Sequence, residues 1–207
     1  MSYNPKDHYY HKAKEENYAA RSVFKLEEID KKFKIFRTGQ VVLDLGASPG
    51  SWSQYASQKI GANGRILGVD LKPCTVSLKN ATFIEADLRD LQLEEIFKEH
   101  GFRPPFDLVL SDMAPNTTGI RFTDQARSMD LCELALDVAR RFLKPGGHFV
   151  CKLFHSDDFT KLRDEIKKDF TRFEAVKPDS TRKISKEIFL CGLTKKTPAK
   201  ISVPENI

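Results

Sequence analysis

From Gln40 onward the chain alternates short apolar runs with segments whose apolar residues recur at helical spacing. Runs of strand length cover Val41 to Ala47, Arg65 to Leu71, Thr82 to Asp87, Phe106 to Ser111, His148 to Phe154, Phe173 to Val176 and Glu187 to Leu193. Between them, Trp52 to Ile60, Leu91 to His100, Asp124 to Leu143 and Asp157 to Phe170 show the three- and four-residue repeat of a helix, as in Met129, Cys132, Leu136 and Ala139. Such alternation predicts an α/β fold, a largely parallel sheet with helices on both faces. Leu143-Lys144-Pro145-Gly146-Gly147 reads as a helix end turning into the next strand. Upstream, Tyr18 to Phe33 reads as an amphipathic helix, with Ala19, Val23, Leu26, Ile29 and Phe33 on one side, expected to pack across the sheet.

The 207 residues suffice for one well-buried core and are too few for two domains of ordinary size, so residues 1–194 are read as one domain. Residues 1–17 are read as a basic leader and 195–207 as a mobile tail. No apolar run approaches the ~20 residues of a membrane helix. The N-terminus lacks the apolar core of a secretory signal, and a cytoplasmic monomer without membrane contact is the expectation. Cys74, Cys132, Cys151 and Cys191 are scattered, with no C-x-x-C pair, which argues against a disulfide framework and a zinc knuckle. His8 and His11 have no third ligand nearby, and no metal site is expected. The net charge of +5 is uneven: residues 1–40 carry +3, residues 41–159 carry −3 and residues 160–207 carry +5. Basic ends around a less basic centre suit a polyanion such as nucleic acid, although basic ends are often merely solvated.

The clearest local signal is Val41-Val42-Leu43-Asp44-Leu45-Gly46-Ala47-Ser48-Pro49-Gly50-Ser51-Trp52, a buried strand ending in a glycine-bearing turn that opens a helix. In an open α/β sheet, ligands bind beyond the carboxyl ends of the strands, where glycine lets the backbone approach closely. Gly46 and Gly50 do not make G-x-G-x-x-G, and no Gly-Lys-Ser/Thr follows, so the turn suits a nucleoside without a pyrophosphate. Asp70 and Asp87 close the next two predicted strands. A carboxylate about 20 residues past the turn can accept from ribose hydroxyls, and its neighbour from an adenine amino group. Either aspartate alone reads better as a cap or turn residue; the three features together point to a nucleoside site.

Asp112 and Lys152 sit near the ends of later strands and should face the same crevice. A lysine among Val150, Cys151, Leu153 and Phe154 is costly to bury unpaired, so Lys152 needs a carboxylate or solvent, and Asp112 is the candidate partner. By position alone, Lys25 and Glu187 read as solvated surface residues.

Five segments go further: Arg21-Ser22-Val23-Phe24-Lys25-Leu26-Glu27-Glu28-Ile29, Asp44 to Tyr55, Ser111-Asp112-Met113-Ala114-Pro115-Asn116, Cys151-Lys152-Leu153-Phe154 and Lys177-Pro178-Asp179-Ser180-Thr181-Arg182. Through them, in this order, the chain resembles the FtsJ/RrmJ ribosomal RNA 2′-O-methyltransferases from about Tyr18 to Leu193. The resemblance implies a Rossmann-like class I methyltransferase with seven strands, the last antiparallel, and S-adenosyl-L-methionine in the crevice. It implies a catalytic set of Lys25, Asp112, Lys152 and Glu187, with cofactor contacts from Gly46, Gly50, Trp52, Asp70, Asp87 and Asp112. Where the family often has a second glycine, this chain has Ser51.

In the expected mechanism the cofactor brings an activated methyl group, and the protein aligns a ribose 2′-oxygen with it and manages the proton. Lys152, if neutral, accepts that proton, Asp112 orients the lysine, and Lys25 and Glu187 position the hydroxyl and tune the charge. The resemblance points to a uridine in the A-loop of large-subunit ribosomal RNA, within an assembled subunit. A tRNA or mRNA-cap 2′-O-methyltransferase and a non-catalytic RNA-binding protein of the same fold remain alternatives. A base N-methyltransferase is disfavoured because Asp112-Met113-Ala114-Pro115 lacks the Pro-Pro-aromatic turn that cradles a planar amine.

Overall fold

The structure, a computed structural model, describes residues 7–89, 92–156 and 159–197. Seven strands, β1 (Val41–Leu45), β2 (Arg65–Asp70), β3 (Ala81–Glu85), β4 (Phe106–Ser111), β5 (Leu143–Phe154), β6 (Phe170–Val176) and β7 (Glu187–Lys195), form one sheet in the order β3-β2-β1-β4-β5-β7-β6. Strands β1 to β5 pair in parallel, and β7 runs antiparallel to both β5 and β6. Helices α1 (His8–Glu15), α2 (Val23–Phe33), α3 (Ser51–Ile60), α4 (Leu93–Glu99), α5 (Arg121–Phe142) and α6 (Phe159–Asp169) complete the fold. The strand order reverses between β1 and β4, so the loops after these two strands part and leave a crevice at their carboxyl ends.

Side chains alternate across each strand and build two cores. Leu43, Leu45, Val69, Val109, Phe149 and Leu153 pack with residues of α4, α5 and α6, including Phe97, Leu136 and Ile166. Val42, Ile66, Leu108, Leu110, Val150 and Phe189 pack on the other face with Leu26 and Ile29 of α2 and Trp52 and Tyr55 of α3. The same alternation sends Asp44 and Lys152, each two residues beyond an inward valine, toward the α2 and α3 side. No described helix is long and apolar enough to cross a membrane.

Differences from the sequence-based expectation have local causes. Strand β1 stops at Leu45 because Gly46 turns left-handed at φ +73°. Helix α2 starts at Val23 rather than Tyr18: the Gln54 amide accepts from the Ala19 N–H and donates to the Asn17 carbonyl, occupying groups a helical ladder would use. The predicted Lys144–Gly147 turn lies inside β5, where pairing jumps from Phe106↔Leu143 to Leu108↔His148. Residues 8–15 of the predicted leader form α1, capped by Asp7, which accepts the Tyr10 N–H. Lys195, read as tail, ends β7, and its ammonium donates to the carbonyls of Ala139, Arg140 and Leu143 at the end of α5. The predicted helix starts at Leu91 and Asp157, and the tail from 198 onward, lie outside the described residues.

Candidate active site

A cavity of about 730 Å³ opens at the switch point, lined in part by Gly46, Ser48, Asp70, Asp87, Asp112, Met113 and Lys152. Its floor is close-packed: a Cβ on Gly46, already at φ +73°, would come within 3.0 Å of the Met113 N and Cα and 2.6 Å of its Cγ, so only glycine fits between the loops after β1 and β4. The Asp70 carboxylate accepts the Ser48 N–H at 3.0 Å and the Lys72 N–H at 2.9 Å, and Asp87 accepts the Arg89 N–H at 3.0 Å. Both aspartates therefore brace turns and also face the cavity, and a carboxylate oxygen has a further lone pair for a ligand hydroxyl or amine.

Gly50 and Trp52 are not among the cavity-lining residues. Gly50, at φ +115°, opens α3 and leaves room for the Val76 side chain. Trp52 is buried, donates through Nε1 to the Ser22 carbonyl at 3.0 Å, and packs on Phe189 with ring centroids 5.7 Å apart. Ser51 is the first residue of α3, so the special conformation falls on Gly50 and serine is unstrained. Its hydroxyl shares a 3.0 Å hydrogen bond with Ser22.

Lys152 is 7% exposed, and its ammonium donates to the Asp112 carboxylate at 2.9 Å and also to the Asp112 carbonyl. Asp112 is held in turn by its N–H on the Leu45 carbonyl, and the Lys152 carbonyl accepts the Cys132 thiol at 2.8 Å. Lys25 and Glu187 form a second ion pair on the same side of the sheet. Lys25, 8% exposed, lies with its ammonium 5.7 Å from the centre of the Phe189 ring, and Phe189 is the register partner of Lys152. The structure thus joins the four residues as two ion pairs flanking Phe189, with Asp112 and Lys152 lining the cavity.

The Lys25 pair hangs on a network that sequence reasoning did not find. Glu28, one turn along α2, accepts the N–H groups of Asp179 and Ser180 at 2.6 and 2.9 Å, fixing the β6–β7 loop that leads to Glu187. Arg21 donates to the Ser180 carbonyl, and Arg21 and Arg182 both pair with Asp7 at the cap of α1. Glu28 falls in the Arg21–Ile29 stretch, but no spacing rule links a helix to a loop about 150 residues away.

Asp44 was also missed, although it opens the glycine turn. It is fully buried; one oxygen accepts the Ser53 hydroxyl at 2.6 Å, and the other has no hydrogen-bond partner among the described residues. Burial pushes its carboxyl up to about 7, against the Ser53 hydrogen bond, with Asp112 and Asp70 adding repulsion. The available signal was an acidic residue in an otherwise apolar strand.

Residues 18–195 match the profile of the FtsJ-like methyltransferase family. The chain belongs to that family. Ribosomal RNA large subunit methyltransferase E of Bdellovibrio bacteriovorus is 80% identical over 196 residues, spanning 95% of this chain and 100% of that protein. The protein of the same name from Syntrophobacter fumaroxidans is 49% identical over 195 residues, spanning 93% and 98%. Among solved structures, a putative ribosomal RNA methyltransferase of Plasmodium falciparum superposes with a TM-score of 0.72 at 25% identity, covering 86% of this chain and 98% of that one. Aeropyrum pernix fibrillarin, crystallised with natively bound S-adenosyl-L-methionine, shares the fold with a TM-score of 0.60 at 17% identity, covering 83% and 76%. The seven-stranded sheet with its reversed β7 is the class I methyltransferase arrangement expected from the sequence.

Proposed function

We propose that the protein transfers a methyl group from S-adenosyl-L-methionine to a ribose 2′-oxygen of large-subunit ribosomal RNA, at a uridine of the A-loop within an assembled subunit. Relatives that align along nearly their whole length carry the large-subunit name. The observation that carries the chemistry is the Lys152–Asp112 pair on the wall of a cavity built for a nucleoside. The cofactor's fit rests on two features: the glycine-only floor at Gly46 and the Asp70 and Asp87 carboxylates that face the cavity. The protein acts as a cytoplasmic monomer in this reading.

When bound, the cofactor supplies a methyl group already activated on a sulfonium. The protein's tasks are alignment and proton management. Lys152 Nζ is aimed at the 2′-hydroxyl and takes its proton from the uncharged form of the amine, while Asp112 holds Nζ in place through its carboxylate and carbonyl. Lys25 and Glu187 hold the incoming ribose from the α2 side. Asp70 and Asp87 bind the nucleoside. The test is twofold: mapping the ribose methylation lost from ribosomal RNA of a deletion strain, and restoring it with purified protein and labelled cofactor. A missing methyl group on tRNA or an mRNA cap instead would overturn the ribosomal assignment.

A further inference from the structure

Beside the catalytic cavity lies a second concavity of about 250 Å³, walled by Phe122, Gln125, Met129 and Asp130 of α5 and by Ser156 and Lys161 opposite. Asp130 lines both hollows, so the second continues the one that contains Lys152 and Asp112. Phe122 and its neighbour Ile120 are 77% and 63% exposed. A single exposed apolar residue is ordinary, but these two stand on a braced turn. The Asp124 carboxylate accepts the N–H groups of Thr118 and Gly119 and the Thr118 hydroxyl, at 2.7, 3.2 and 2.9 Å. The Thr118 hydroxyl oxygen accepts the Ile120 N–H at 3.2 Å. Across the hollow, the Gln125 amide donates to the His155 carbonyl and ties the opposite wall to α5.

We infer that this concavity receives an unpaired base of the substrate RNA, a neighbour of the nucleotide being methylated, with Phe122 stacked on its face. The inference rests on the RNA-methylation reading above and adds to it a specificity subsite. Sequence-selective RNA recognition splays single-stranded bases onto aromatic side chains and reads their edges by hydrogen bonds. A rigidly presented aromatic next to exposed carboxylates, Asp130 and Glu133, provides both, because carboxylates accept from the exocyclic amino groups of bases. Distance agrees as well. Phe122 precedes Arg127, which lines the catalytic cavity, by five helical residues, about 7.5 Å along the axis. That is about two stacked nucleotide steps of ~3.4 Å. The exposed guanidinium groups of Arg121 and Arg127 flank this path for the phosphates.

The test uses the full-length protein with undermethylated large ribosomal subunits, and a short single-stranded RNA carrying 2-aminopurine as a stacking probe. Phe122→Ala should raise KM for the subunits about tenfold, within the range for loss of one base–aromatic stack. It should also reduce quenching of the probe, while cofactor affinity and Tm stay at wild-type values and show the fold to be intact. Phe122→Trp should preserve both signals and Phe122→Leu should not. Unchanged KM in Phe122→Ala, or full function with leucine, would overturn stacking. A KM defect on subunits with normal quenching of protein-free RNA would assign the surface to a ribosomal protein and overturn the RNA subsite. Absence of ribosomal RNA methylation by the wild-type protein would instead remove the underlying reading.

Discussion

Two lysine–carboxylate pairs stand at the same end of the sheet, and they are built in opposite ways. Asp112 and Lys152 each lie one residue past the register pair Ser111↔Cys151, so hydrogen bonds between adjacent strands β4 and β5 fix their meeting. Lys25 and Glu187 come from α2 and β7, and their meeting depends on Asp7, Arg21, Glu28 and Arg182, which tie α1, α2 and the β6–β7 loop together. The first pair sits in the rigid core of the fold. The second is assembled by partly exposed contacts, the kind that solvent and salt weaken most. The contrast supports the proposed division, in which proton transfer belongs to the first pair and holding a large incoming substrate to the second.

The most severe test of this division is Lys152→Ala, expected to slow single-turnover transfer by about 10²- to 10⁴-fold, the usual contribution of general base catalysis, with cofactor affinity close to wild type. Lys152→Arg should not rescue it, because arginine keeps its proton at any working pH. Near-normal turnover in either variant would break the contrast between the pairs.

Asp44 sharpens the contrast, as a buried carboxyl in the same region whose recorded partner is the neutral Ser53 hydroxyl. Its folded value of about 7 lies above an unfolded value of ~3.9, so between these the native state holds a proton that the unfolded state has released. Its contribution to stability is therefore full below about pH 4 and is lost as pH rises toward and through 7, on the order of 4 kcal/mol in total. Asp44→Asn should abolish this loss, so its stability gain over wild type grows from pH 4 to 8. Urea unfolding of both proteins without cofactor measures it, and a pH-independent difference would refute the assignment.

Glu187→Gln and Lys25→Ala should act more mildly than Lys152→Ala, lowering the rate about tenfold and leaving cofactor affinity unchanged. A loss as large as that of Lys152→Ala would place them with the proton-transfer pair. Glu28→Ala should produce a weaker copy of the same defect, together with a Tm lower by roughly 2–4 °C, the shift expected for about 1 kcal/mol in a protein of this size. If Glu28 only stabilises the fold, Tm will fall while the rate at saturating substrate stays constant.

The smallest expected effects concern the RNA footprint. The sequence suggests Lys6, Lys12, Arg21, Arg182, Lys183 and Lys186 as phosphate contacts. Lys6 lies outside the described residues, Lys12 sits 3.7 Å from Glu16, and Arg21 and Arg182 meet Asp7, whereas Lys183 and Lys186 are exposed. Replacing Lys183 or Lys186 by alanine should each reduce the slope of log affinity against log salt by about 0.7–0.9. Unchanged slopes would move the footprint away from the β6–β7 loop.

The hydrophobic pattern by itself determined the seven strands, the five helices after α1 and the glycine turn, because buried faces impose periods of two and 3.6 residues that local composition cannot hide. It also determined that Lys152 required a partner and that Asp112 was at hand, since strand ends in a parallel sheet converge on one crevice. Only the tertiary structure decided the rest. Helix α1 escaped because its eight residues bury little more than Ala13 and so leave no periodic stripe. The packing of Trp52 against Phe189 and of Gly50 against Val76 also came from the tertiary structure, because it depends on residues distant in sequence. Lys25 and Glu187 look like solvated charges in one dimension. They become a partly buried pair when α2 packs across the sheet and the β6–β7 loop is clamped to it, a meeting of residues 162 positions apart that no local spacing encodes.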